Sequence, residues 1–319
     1  RGPGIEFEYN EMYQPVDTIR YENNTAYHRF NSFEPRLSLK YFINKNLLAK
    51  FAYSRNTQFE YLISNSISPF TSLEVWLPAG PNIKPMYSDQ VVGGITFKNR
   101  DGSFFIDLEG FYKNMDNYIS YRDHAYMLFN PQVESELRYG KGKSYGLEVM
   151  MKKNAGRLDG WVSFSLSRTY LQIKGIQNYE PFPASYDRPL NVGMYASYAI
   201  TPRWQLSASW IYSTGNPITT PTGYYYYKGY QVPFYDSRNN DRLPDYHRLD
   251  IASSIRLNSP ESENSHMLKL SIFNLYGRKN PFTYNFNKIV DENGQLVVPL
   301  NHLHYPDLES SMMYIYGII

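Results

Sequence analysis

The chain has 319 residues, and its 32 Lys plus Arg against 30 Asp plus Glu leave a formal net charge of +2. That balance predicts no nucleic-acid partner, and the absence of cysteine excludes a disulfide scaffold, a thiolate metal site and a cysteine nucleophile. Aromatic residues are abundant (32 Tyr, 18 Phe, 4 Trp), yet mean hydropathy is −0.53 and no run reaches the roughly 18–20 apolar residues of a spanning helix.

The sequence opens on Arg1, with no leader-like segment behind it, and its last residues, 312–319, read as a strand in progress. The expectation is a fragment at both ends. Along the chain the dominant period is two. A weak pattern over residues 5–29 predicts one or two strands. About eleven clearer ones start near Pro35, Leu47, Gln90, Phe104, Lys143, Leu158, Arg188, Arg203, Tyr246, His266 and Met312. In the best example Trp204, Leu206, Ala208, Trp210 and Tyr212 alternate with Gln205, Ser207, Ser209 and Ile211. Helical spacing fits none of these stretches, whereas side chains on alternate faces do.

Connections alternate in length. Short ones fall at residues 44–46, 99–102, 154–156, 201–202 and 258–260, each with Asn, Asp, Gly or Pro for tight-turn dihedrals. Long, structureless ones are expected over 58–89, 122–142, 170–187, 214–245 and 282–311. Tight turns at one rim and long loops at the other predict an all-β, transmembrane antiparallel β-barrel in contact with outer-membrane lipids. The strand faces agree, since the apolar parity carries no charge and the opposite parity is too polar for a dry core. Tyr41, Tyr53, Tyr112, Tyr145, Tyr198, Trp210 and Tyr212 fall toward the ends of apolar faces, as an interfacial girdle requires. Asp107, Glu109, Lys113, Glu148, Lys152, Arg168, Arg248, Asp250 and Arg256 are assigned to the lumen parity, where they either hold a plug by polar contacts or are simply hydrated.

Several segments, in order, resemble the C-terminal half of a TonB-dependent outer-membrane receptor of the type carrying a carboxypeptidase-regulatory-like domain before its plug. They are residues 34–41 (EPRLSLKY), 47–57 (LLAKFAYSRNT), 76–78 (WLP), 83–85 (IKP), 145–148 (YGLE), 186–189 (YDRP), 213–217 (STGNP), 248–250 (RLD) and 273–282 (FNLYGRKNPF). The resemblance implies a 22-stranded barrel, of which residues 1–319 form a C-terminal part. It further implies an N-terminal plug domain, absent from this sequence, that faces Asp107, Glu109, Glu148, Arg248 and Asp250. TonB, working with ExbB and ExbD, would act through that missing part, and a surface lipoprotein is a further partner.

No catalytic residue and no cofactor are expected. His302 and His304 have strand spacing for a metal, with Asp307 and Glu309 in the same loop, but lack a fixed ligand set. His247 and Ser209 lie on opposite parities, which disfavours a hydrolytic pairing. The distinctive loop is residues 223–230, GYYYYKGY. Either it contacts ligand through Tyr224, Tyr225, Tyr226 and Tyr227, with Tyr235 and Arg238 following, or it is a plain extracellular hairpin. The leading expectation is TonB-driven import across the outer membrane. A passive porin and a non-transport barrel component of a surface complex are the alternatives.

Overall fold

The structure, a computed structural model, describes residues 4–23, 28–64, 74–123, 125–126, 130–228, 230–259, 264–284 and 312–314. Ten strands form the main path of one eleven-stranded sheet: β1 (Arg36–Phe42), β2 (Leu47–Gln58), β3 (Met86–Lys98), β4 (Phe104–Tyr121), β5 (Leu137–Lys153), β6 (Leu158–Ile173), β7 (Leu190–Thr201), β8 (Trp204–Ser213), β9 (Tyr246–Arg256) and β10 (Met267–Ile272), with the short strand Phe182–Pro183 added beside β6. Each pairs antiparallel with the next in sequence, so the sheet is an up-and-down meander with β1 and β10 at its open edges.

The short turns are built by side chains that replace backbone partners. Asn44 Oδ1 accepts the N–H groups of Asn46 and Leu47 at 2.8 and 2.9 Å. Asn99 Oδ1 accepts the N–H of Phe104 at 2.8 Å, with Gly102 at φ +70° completing the turn. At this rim such turns reverse the chain without loops.

Register converts the alternation into two unlike faces. One continuous row runs Leu47, Phe97, Ile106, Met151, Val162, Met194, Trp210 and Leu249, apolar at every position. A row on the other face runs Lys50, Gly94, Glu109, Glu148, Ser165, Asn191, Ser213 and Tyr246. The apolar row starts at the short-turn end of β2 and reaches β9 near its long-loop end. The strands are therefore staggered along the sheet, the slant a barrel wall needs.

The buried core lies outside this wall. One cluster gathers Tyr61, Ile63, Leu77, Ile83, Ile119, Tyr121 and Leu137, and a second gathers Leu171, Ile173, Ile176, Phe182 and Ala184. Both sit at the long-loop rim. A membrane crossing uses about 9–11 strand residues, whereas β4, β5 and β6 have 18, 17 and 16. Their surplus turns form a packed platform with the loops.

Several expectations change as a result. β3 begins at Met86 rather than Gln90, and β5 at Leu137 rather than Lys143, because burial against loop side chains extends them. The long connections are not structureless: hairpins pair Glu60–Ser64 with Glu74–Pro78 and Gly223–Tyr227 with Tyr230–Phe234. The weak N-terminal pattern is a hairpin, Gly4–Tyr9 with Pro15–Tyr21, separate from the wall sheet. Met312–Tyr314 pairs with Pro281–Tyr284, also outside that sheet. Arg168 was assigned to the lumen parity, but it opposes Tyr145 and follows Leu166 on the apolar parity. It escapes the cost of a lipid-facing charge by sitting at the loop end of β6.

Candidate functional site: the polar lumen face and the loop platform

The lumen face is organised around one cation. Lys50 Nζ lies 2.6 Å from Asp107 Oδ2 and also binds Glu109, while Thr96 donates to Asp107 Oδ1 at 2.6 Å. Gly94 stands between Lys50 and Glu109 in the same row. A Cβ there would lie 3.0 Å from Lys50 Cε and 2.9 Å from Glu109 Cγ, so the missing side chain is what lets the ion pair cross the strand.

Glu148 opposes Glu109 on the next strand. Among the described residues it has no ion-pair or hydrogen-bond partner. Together with Asp107, Glu109, Ser163, Ser165, Asn191 and the cation Arg188 it lines a concavity of about 580 Å³. Arg248 and Asp250 behave differently. Arg248 Nη2 is 2.8 Å from Asp250 Oδ2, and Asp250 Oδ1 accepts the N–H of Asn274 at 2.9 Å. Of the five residues expected to face a plug, all lie on the polar face, but only Glu148 is left without a counter-charge.

The loop side chains are less free than the sequence suggests. Arg238 donates to Ser120 Oγ and the Tyr121 carbonyl, each at 3.1 Å, and pairs with Asp123. Its backbone N–H donates to Gln177 Oε1 at 3.1 Å, and its guanidinium stands 5.7 Å from the Phe182 ring centre. Arg238 therefore clamps three loops together. Tyr225 and Tyr227 share one face of their hairpin and are 51% and 59% exposed, while Tyr235 is 43% exposed. The hairpin itself is formed, with Lys228 at φ +47° in its turn. The side chains of Tyr224 and Tyr226 lie outside the described residues, as do His302, His304, Asp307 and Glu309.

Sequence reasoning missed two hubs. Asp187 is 2% exposed; its Oδ1 accepts the Thr169 N–H at 2.6 Å and its Oδ2 meets Arg242, with Arg168 farther off at 3.5 Å. Glu136, also buried, accepts from Arg122 Nε at 2.5 Å and Nη2 at 3.1 Å and from the Tyr126 N–H at 3.2 Å. Donation from Arg122 holds the Glu136 carboxyl below the usual carboxylate range, burial opposing it. Two residues earlier, burial pushes Glu134 up, although Asn82 Nδ2 donates to it at 2.9 Å. Both hubs depend on residues 10 to 55 positions apart, a pairing that no local pattern reports. For Asp187 the only signal was its place in the YDRP stretch.

Residues 3–275 match the family model for TonB dependent receptor-like β-barrels. The chain belongs to that family. Membership in a family of receptors agrees with the expectation of no catalytic residue. Solved TonB-dependent receptors share the fold. The pyoverdine outer membrane receptor FpvA from Pseudomonas aeruginosa PAO1 is 12% identical with a TM-score of 0.55, covering 88% of this chain and 35% of that one. The ferric-catecholate import receptor Fiu from E. coli K12 is 14% identical with a TM-score of 0.53, covering 77% and 31%. The FrpB iron transporter from Neisseria meningitidis is 12% identical with a TM-score of 0.51, covering 77% and 35%. No curated protein matches in sequence. This receptor wall thus spans about a third of the length of each solved relative.

Proposed function

We propose that this chain is part of the wall of an outer-membrane receptor that captures a ligand with its long loops and imports it under TonB control. The observation that carries the reading is the unbalanced acidic strip on the lumen face, where Glu148 stands unpaired beside Glu109 and Asp107. A removable plug with cationic groups fits such a strip, because exposed charge-assisted contacts hold it and still release it at modest cost. In this reading Asp107, Glu109 and Glu148 face the plug, and Arg248 with Asp250 form a second, self-neutralised contact.

Ligand contact falls to Tyr225, Tyr227 and Tyr235, whose exposed rings offer rigid area and hydroxyls at the outward rim, together with Tyr224 and Tyr226 of the same hairpin. Arg238 serves them indirectly by fixing the loop. TonB, energised by ExbB and ExbD, would pull the plug from the periplasmic side, where the tight turns leave room, and a surface lipoprotein would meet the loop platform.

The test is uptake of a panel of iron chelates, cobalamin, glycans and peptides by cells with and without TonB. Uptake of one ligand that disappears on TonB deletion is expected. Equal uptake in both strains would refute energised import.

A further inference from the structure

The N-terminal hairpin is a self-contained unit resting on the loop platform. Asn10 Oδ1 accepts the N–H groups of Met12 and Gln14 at 2.9 and 3.0 Å and closes its turn, and Tyr21 Oη donates to Glu6 Oε2 at 2.6 Å across its two strands. It is tied to the platform through Asn82 and Arg138. Asn82 Nδ2 donates to the Phe7 carbonyl at 2.7 Å, and the Arg138 guanidinium stands 3.6 Å from the Tyr13 ring centre.

Glu134 lies at that junction. The same Asn82 nitrogen donates to Glu134 Oε2 at 2.9 Å, so one amide group joins hairpin and carboxyl. Among the described residues no cation pairs with Glu134. Glu6 approaches from the hairpin with a like charge, and Tyr9 brings a hydroxyl that is buried without a hydrogen-bond partner. From β5, Tyr139 Oη donates to the Asn82 carbonyl, while Arg138 is turned to the Tyr13 ring and to the Ser135 and Leu137 carbonyls at 2.8 and 2.7 Å. On its own segment Glu136 is neutralised by Arg122. Burial, and after it the Glu6 charge, push the Glu134 carboxyl up against the opposing Asn82 bond.

The docked hairpin contributes to each of these influences. Lifting it would admit water to the carboxyl, carry Glu6 away and free the Asn82 amide from Phe7 to serve Glu134 alone. All three changes favour the ionised carboxylate. The docked form therefore holds the Glu134 proton more tightly than the lifted form. Docking is favoured in acid and weakens as pH rises through the docked value. A lone two-stranded hairpin is marginal in water, so lifting it also opens its own amides to exchange.

We propose that residues 4–21 form a proton-sensing strap, seated on the loop platform while Glu134 is protonated and released when it ionises. Release uncovers the surface around Asn82, Glu134 and Tyr139 at the long-loop rim and leaves the wall strands as they are. The inference needs only the fold and does not rest on the import reading.

The experiment uses the full-length receptor in detergent. Hydrogen exchange of residues 4–21 is followed by mass spectrometry from about pH 5 to about pH 8, each rate being divided by its unstructured value. Wild type is expected to lose protection over this segment severalfold across that range, while the wall strand Leu158–Ile173 keeps its own. Glu134→Gln retains an acceptor for Asn82 and should hold the hairpin protected at both ends of the range. Glu6→Gln retains an acceptor for Tyr21 and should narrow the pH response. Glu8→Gln, at an exposed position of the same strand, should respond as wild type. An unchanged heat-modifiable band checks that each variant barrel is folded. A wild-type hairpin equally protected throughout, a Glu134→Gln response as large as that of wild type, or the same flattening by Glu8→Gln would overturn the proposal.

Discussion

Lys50 reaches Asp107 at 2.6 Å by laying its stem across Gly94, from which a Cβ would stand only 3.0 Å from Lys50 Cε. One cation thereby serves two carboxylates on a strand that is not its hydrogen-bonded neighbour. Lys50→Gln should leave Asp107 and Glu109 uncompensated and lower barrel stability by about 1–3 kcal/mol. Adding Asp107→Asn should recover part of the loss, a non-additivity that thermal unfolding of the single and double variants measures.

The two faces of the wall predict opposite tolerances. Phe164 lies on the apolar parity, six residues from the short-turn end of β6, near mid-depth. Phe164→Arg should cost about 2–4 kcal/mol of barrel stability. Leu206 lies on the same parity but only two residues from Trp204, so Leu206→Arg should cost about 0–1 kcal/mol. Ser165→Arg, facing Glu148, should fold as wild type. The fraction of heat-modifiable protein on a gel ranks the three.

Glu134 and Glu136 should give the loop platform opposing pH responses. The folded Glu136 carboxyl is held low by Arg122, so its contribution is present above the unfolded carboxylate value, roughly 4.3, and is lost as pH falls through the folded one. Glu134 is pushed up by burial, so its contribution is present below the unfolded value and is lost as pH rises through the folded one. Hydrogen exchange over residues 130–138 should therefore show Glu134→Gln protecting this segment at neutral pH. Glu136→Gln should weaken it there and abolish its loosening in acid.

Arg238→Ala should free the loop over residues 214–245 from Ser120, Tyr121 and Asp123. Limited proteolysis of intact cells should cut that loop faster, with the wall unaffected. Arg238→Lys should rescue little, because a single ammonium cannot reproduce the forked donation to three acceptors.

Much of the wall was legible in the sequence, and for a clear physical reason. Lipid on one side and water on the other force successive side chains apart, so the alternation around Trp204–Ser213 reports both strand and face directly. The tight turns were equally plain, since Asn44 and Asn99 act on neighbours two to five residues away. Arg168 shows where this reading fails: parity counted one residue off places a charge on the wrong face, and only its register with Tyr145 corrects it.

The residues that bind and brace were not legible. Arg238 reads as a free loop cation until Ser120 and Asp123, over a hundred positions away, are found beneath it. Glu148 reads as one lumen charge among many until Lys50 is seen spent on Asp107 and Glu109. The sequence by itself determined strands, turns and faces, because those follow from contacts between near neighbours and from the two solvents. Only the tertiary structure decided which charges are satisfied and how the loops pack, because each depends on chain segments far apart in sequence that meet only in the folded wall and its loops.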